Sequence, residues 1–165
     1  PDRLAEYWFA LGEAHRGLGQ TKEAVEVYKE CLKYSSSPFS FRARYHLALG
    51  GNAEAQAIVE DALAAGWDTG LVALYADCAG SNALHNIERG EKWLREHARD
   101  PALLLTLGKL CMKQGLWGKA QSYIEASLAL EPTHEGHMTL AALMERIGKP
   151  QEASRHFRKS AELAG

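Results

Sequence analysis

The 165-residue sequence predicts an all-α fold built from about five consecutive helix-turn-helix pairs. Apolar residues recur at helical spacing throughout the chain, and glycines separate the helical segments at regular intervals. Dividing 165 residues among five pairs gives 33 residues a pair. A repeat period of roughly 20–50 residues is typical of solenoids, in which each pair buries its apolar face against its neighbours.

The clearest pair occupies residues 101–132. Asp100 is placed to cap the first helix of this pair at its N-terminus. Gly115 is expected to adopt the left-handed conformation that ends a helix. Gly108 and Ala120 fall where the two helices would cross, and their small size would let the helix axes approach closely.

This pair resembles a tetratricopeptide repeat (TPR), a helix pair of about 34 residues. With Pro101 as the first position, the positions that mark the family fall on Leu104, Leu107, Gly108, Cys111, Ala120, Ile124, Ser127 and Pro132. Residues near the N-terminus repeat the pattern, with Trp8, Leu11, Gly12, Ala24 and Tyr28. The resemblance implies a right-handed superhelical solenoid that needs at least three stacked repeats for stability.

The remaining segments extend this frame to one repeat domain spanning residues 1–165. In chain order, the predicted repeats are residues 5–37, 38–66 (shortened and degenerate), 67–100, 101–132 and 133–165. Thr21 and Asn52 are expected to cap the second helices of the first two repeats. In the third repeat, Gly90 is expected at the helix crossing that alanine usually fills.

Composition narrows the class of protein. A formal net charge of −2 with 24% charged residues indicates a soluble chain and disfavours a nucleic-acid binder, which usually carries a basic excess. No stretch approaches the roughly 18 apolar residues of a membrane span, so direct membrane insertion is not expected. The chain starts at Pro1, and its first repeat begins almost at once. We therefore expect a fragment of a longer protein.

A second, narrower resemblance covers residues 67–163. Its motifs are Leu71–Tyr75, Glu91–Leu94, Asp100–Gly108 and Leu116–Ala120. They are similar to the C-terminal TPR region of the bacterial HemY family, which is associated with late protoheme IX biosynthesis. The resemblance implies a full-length protein held at the bacterial inner membrane by an N-terminal anchor that this fragment lacks.

Seven histidines raise the alternative of a heme-binding or heme-carrying protein. His15 and His46 occupy equivalent positions in consecutive repeats, and His134 and His137 lie one helical turn apart. Neither pair has a third ligand at metal spacing. The three cysteines, Cys31, Cys78 and Cys111, are expected as small core residues. With no catalytic constellation in view, we expect neither an enzyme nor a cofactor nor a metal site.

The TPR resemblance implies a concave groove lined by the first helix of each pair. Carried over position by position, the groove residues are Phe9, Glu13, Arg16, Arg44, Tyr75, Leu105, Lys109, Met112, Lys113 and Met138. Among them, the two methionines and Leu105 would form an adaptable apolar strip, and the two lysines would meet an acidic segment. In the alternative interpretation, Leu105 and Met112 simply pack on the neighbouring repeat.

The sequence thus predicts a scaffold that binds a protein or peptide partner in this groove, without bond chemistry. The narrower resemblance assigns it to late heme biosynthesis at the bacterial inner membrane. A TPR scaffold of another envelope assembly pathway is the alternative within the same fold. Self-association through an exposed edge of the last repeat also remains open.

Overall fold

The computed structural model describes residues 2–34 and 39–164, and all regular structure in these ranges is α-helical. The predicted all-α class is confirmed. Residues 35–38, where the first and second predicted repeats meet, lie outside the described residues. In chain order the helices are α1 (Asp2–Gly17), α2 (Thr21–Tyr34), α3 (Phe39–Ala48), α4 (Asn52–Ala65), α5 (Thr69–Cys78), α6 (Leu84–Leu94), α7 (Pro101–Lys113), α8 (Trp117–Leu130), α9 (His134–Arg146) and α10 (Pro150–Ala164).

The helices group into two compact units, one up to Cys78 and the other from Ala79 onward. In the first unit, α1 packs with α2, α3 packs with α4, and α5 packs against α3 and α4. In the second unit, α7 packs with α8, α9 packs with α10, and α6 packs against α7. Residues 67–100 therefore contribute one helix to each unit. The single repeat domain over residues 1–165 stays a prediction.

The ends of α7 form as predicted. Asp100 Oδ1 accepts hydrogen bonds from the backbone N–H groups of Ala102 at 2.9 Å and Leu103 at 3.2 Å, which makes it the N-cap. Gly115 has a φ of 72°, the left-handed conformation that lets the chain reverse after the helix. Both predictions are confirmed.

The predicted caps Thr21 and Asn52 are wrong, because each is already the first residue of its helix. The carbonyl of Gln20 accepts the first helical hydrogen bond of α2 at 3.0 Å, and that of Gly51 accepts the first of α4 at 3.0 Å. An N-cap is the residue whose carbonyl accepts this bond. Both helices therefore begin one residue earlier than the side-chain pattern indicated.

Glycines set the closest helix crossings. A Cβ on Gly108 would stand 2.5 Å from Ile124 Cγ1 of α8, so the predicted close approach is confirmed. Gly90 is also buried, but its missing Cβ points at Leu107 of α7, at 2.7 Å from Cδ2. Gly90 is therefore a point of close approach between α6 and α7, and the crossing expected within residues 67–100 stays a prediction.

The cysteines are core residues, as predicted. All three, Cys31, Cys78 and Cys111, are buried free thiols. Burial raises the pKa of Cys31 and of Cys111 to about 11. These two thiols therefore stay protonated near neutral pH, and a protonated buried thiol is chemically inert.

No helix within residues 2–34 or 39–164 combines the length and the apolar character needed to cross a lipid bilayer.

Candidate functional site

The first unit brings four predicted groove residues together. Glu13 Oε2 accepts hydrogen bonds from Arg16 Nη2 at 2.9 Å and from Arg44 Nη1 at 3.3 Å. The Arg44 guanidinium also lies over the Phe9 ring, 5.0 Å from its centroid, in a cation–π contact. Since Arg44 is on α3 and its partners are on α1, these contacts hold the two helices side by side.

Glu13 has a third donor, the hydroxyl of Tyr28 on α2, which hydrogen-bonds to Oε1. Burial, and then this hydrogen bond, raise the pKa of Tyr28. One carboxylate therefore joins three helices. Two guanidinium groups against one carboxylate leave the cluster with one excess positive charge, and Arg44 retains a buried Nε–H without a hydrogen-bond partner.

In the second unit, a predicted groove residue links α7 to α9, the first helices of the last two predicted repeats. Lys109 of α7 forms an ion pair with Glu135 of α9. One turn further along α7, Lys113 Nζ donates a hydrogen bond to the backbone carbonyl of Ala79 at 3.2 Å. Met138 lies one turn beyond Glu135 on α9 and is 42% exposed. An exposed methionine thus stands beside a salt bridge that links two first helices.

The other apolar groove candidates are less exposed. Leu105 is buried and Met112 is half-buried. Tyr75 is fully buried in the first unit, and its hydroxyl donates a hydrogen bond to Glu60 Oε1 at 2.5 Å. Among the apolar and aromatic members of the predicted set, Met138 therefore offers the largest open surface in the second unit. The assignment of the whole set to a binding groove stays a prediction.

Sequence reasoning missed a recurring tyrosine–glutamate hydrogen bond between neighbouring helices. The pairs are Tyr28 with Glu13, Tyr75 with Glu60 and Tyr123 with Glu91. The first two pairs share a separation of 15 residues, a signal that the sequence does contain. In the third pair, Glu91 also binds Lys119, and this contact is the main reason that the pKa of the Glu91 carboxyl is lowered.

The histidines considered as ligands have other neighbours. His15 Nδ1 lies 2.6 Å from Gln20 Oε1, and the His46 ring contacts Tyr45 edge-on, with centroids 5.3 Å apart. In the second unit His134 Nδ1 lies 2.6 Å from the hydroxyl of buried Ser160. Within the part of the chain that the structure describes, no three His, Cys, Asp or Glu residues form a group able to hold a metal ion.

Comparison with known proteins identifies one sequence repeat and the fold. The tetratricopeptide repeat family model matches residues 5–37. The crystal structure of a thermophilic TPR protein from Thermus thermophilus superposes with a TM-score of 0.73 at 22% identity, over 97% of this chain and 91% of that chain. A crystal structure of MamA superposes with a TM-score of 0.54 at 18% identity, over 93% of this chain and 94% of that chain.

Sequence similarity to curated proteins is more local. Protein HemY of Escherichia coli strain K12 is 35% identical over 74 residues, which is 42% of this chain and 19% of HemY. HemY of Shigella flexneri gives the same values. The matched segment thus spans about a fifth of the length of these relatives.

The solved structures share too little sequence with this chain to show more than its fold. The superposition on the Thermus protein nevertheless covers almost the whole of this chain, so the shared fold extends from end to end. The chain therefore contains a tetratricopeptide repeat at residues 5–37 and has the all-α helical solenoid fold of TPR proteins.

Proposed function

We propose that this chain is a non-catalytic scaffold that binds a protein partner on the face formed by the first helices of its repeats. The observation that carries the proposal is the direct linkage of these helices within each unit. Arg44 of α3 binds Glu13 of α1, and Lys109 of α7 binds Glu135 of α9. Within each unit, side chains that meet in this way form a continuous surface, which a peptide or a folded partner can contact at several points.

The chemistry of this face suits a protein partner. In the first unit, the excess positive charge around Glu13 favours a partner segment that carries acidic side chains. In the second unit, Met138 adds an unbranched, polarisable side chain that can adapt its shape to different apolar groups. The TPR fold is used for binding proteins, and the charge around Glu13 and the exposed Met138 side chain support the same role for this chain.

The finer proposal concerns the pathway. The similarity to HemY, 35% identity over 74 residues, supports a role for the full-length protein in late heme biosynthesis at the bacterial inner membrane. In that role the chain would hold components of the pathway together. A scaffold of another envelope assembly pathway is the alternative that uses the same face.

A pull-down from solubilised bacterial membranes tests the face with two matched pairs of variants. In the second unit, Met138→Asp changes the face, and Leu163→Asp on α10 is its control, because the two residues are 42% and 48% exposed. In the first unit, Arg16→Glu changes the face and Lys29→Glu is its control. Both of these cations are exposed and pair with a glutamate three residues earlier.

We expect partners captured by the parent chain to be lost with Met138→Asp and Arg16→Glu and kept with both controls. Enzymes of heme biosynthesis among the lost partners would support the finer proposal. Equal retention by all four variants would refute the assignment of binding to this face. Circular dichroism of each variant guards against loss of folding.

A further inference from the structure

Two histidines meet between the last two helices of the second unit. His137 on α9 and His156 on α10 have their Nδ1 atoms 3.1 Å apart. The ring planes are inclined by only 21°, and the ring centroids are 5.3 Å apart. Because the centroid separation exceeds the nitrogen separation by about two ring radii, the rings lie end to end, with one nitrogen pointing at the other.

This geometry fits a single shared proton. One Nδ1 donates an N–H to the lone pair of the other, so one ring is the Nδ1–H tautomer and its partner the Nε2–H tautomer. Because the two nitrogens point at each other, a metal ion bound by both would lie on the line that joins them. At about 2.0–2.1 Å from each, it would need them about 4 Å apart. The observed 3.1 Å is a hydrogen-bond distance instead.

The surroundings oppose further protonation. His137 is buried and His156 is half-buried. Two cations of α10, Lys159 and Arg155, face the pair, with Lys159 acting on both rings. Glu125 of α8 and Glu152 of α10 act on His156 in the opposite sense. Burial is nevertheless the largest cause, and the pKa of each imidazole is lowered from 6.5.

We propose that the His137–His156 pair is a proton-sensitive latch that holds α9 against α10 at neutral pH and releases them in mild acid. The first added proton can bind the free Nε2 of the donating ring, which keeps the Nδ1–H···Nδ1 hydrogen bond and gives one positive charge. A second added proton must go to the accepting Nδ1. It places two N–H groups against each other, removes the hydrogen bond and leaves two adjacent positive charges. The trigger is a loss of complementarity between the two rings.

The sign of the pH effect follows from linkage. Each folded-state pKa lies below the unfolded value of 6.5, so the open state binds more protons than the closed state as pH falls below 6.5. The stability that the latch contributes is therefore complete above about pH 6.5. It is lost as pH falls from there through the folded-state pKa values.

Amide hydrogen exchange of the full chain tests the latch. An accepting imidazole that stays neutral in the closed state contributes up to roughly 30-fold to closure at pH 5, so we expect protection factors in α9 and α10 to fall between pH 7.5 and pH 5, by up to about that factor. The double variant His137→Gln/His156→Gln keeps hydrogen-bonding side chains that do not titrate in this range. We expect it to lose this dependence. The control His85→Gln, at an exposed position of α6, should keep it.

The proposal would be overturned if protection factors of α9 and α10 in the parent chain were equal at pH 7.5 and pH 5. It would also be overturned if the double variant showed the same pH dependence as the parent. Nitrogen NMR of the histidine rings in the parent chain gives a readout that requires no variant. We expect one ring of the pair as the Nδ1–H tautomer and the other as the Nε2–H tautomer at pH 7.5. Two Nε2–H tautomers would rule out the shared proton.

Discussion

The two units use the same device where helices cross and different devices where first helices lie side by side. At the crossings, Gly12 faces the Tyr28 ring and Gly108 faces Ile124, with almost the same clearance for an added Cβ, 2.6 and 2.5 Å. Between first helices, the first unit uses a carboxylate that three donors share. The second uses one ion pair with an exposed glutamate. The repeat thus fixes its crossings by steric fit and leaves the contacts along its face free to vary.

The first prediction compares the leucine that precedes the crossing glycine in each unit. Truncating it to alanine should lower the free energy of unfolding by different amounts in the two units. Leu11 and Leu107 both precede the crossing glycine, but Leu107 is fully buried and Leu11 is only half-buried. Leu107→Ala should lower the free energy of unfolding by about 2–5 kcal/mol, since it leaves a cavity beside Gly90 and within the core. Leu11→Ala should cost less. Urea unfolding followed by circular dichroism measures both, and equal costs would mean that the two positions are equivalent after all.

The second prediction concerns the glycines at the helix crossings of both units. Gly12→Leu and Gly108→Leu should each lower the free energy of unfolding by about 1–3 kcal/mol, because the new side chain meets Tyr28 or Ile124 at the crossing. The matched control is Gly17→Leu at the end of α1, where an added Cβ would meet nothing within 4 Å. Thermal unfolding should leave this control close to the parent. A comparable loss in the control would remove the steric explanation.

The third prediction compares the ionic contacts between first helices in the two units. The Glu13 side chain is 28% exposed and that of Glu135 is 61% exposed. Glu13→Gln should cost about 1–3 kcal/mol, because it weakens an acceptor that three donors share, and two of these donors, Tyr28 and Arg44, are partly buried. Glu135→Gln should cost about 0–1 kcal/mol, as exposed ion pairs usually do.

Unfolding at low and high salt checks this difference, because salt screens exposed pairs more than buried ones. The cost of Glu135→Gln should shrink further at high salt, whereas that of Glu13→Gln should change little. If Glu13→Gln and Glu135→Gln cost the same unfolding free energy at both salt concentrations, the contacts of Glu13 and of Glu135 would not differ as described.

Local chemistry made much of the fold predictable. Asp100 and Gly115 mark helix ends through interactions with their own backbone neighbourhood, and Gly108 needs only one partner helix to explain it. Gly90 shows the limit of such reasoning. Its small size indicates a close helix, but only the tertiary packing decides that this helix is α7.

The residues of the first-helix face were predictable from their positions in the repeat, but the exposure of their side chains was not. The resemblance grouped Phe9, Glu13, Arg16 and Arg44, and the structure brings all four into contact. Burial was the part that could not be deduced. Tyr75 occupies a groove position in the repeat frame, yet it is buried and bonded to Glu60. Exposure depends on every neighbouring helix, whereas a repeat position records only one.

Site-specific photo-crosslinking in bacterial cells tests the central claim, that the first-helix face binds a protein partner, most directly. A photo-reactive residue would replace Met138 or Arg16 on the face, and Leu163 or Lys29 away from it. We expect a protein partner to crosslink from Met138 and from Arg16, and from neither control position. Crosslinks confined to Leu163 and Lys29 would contradict it.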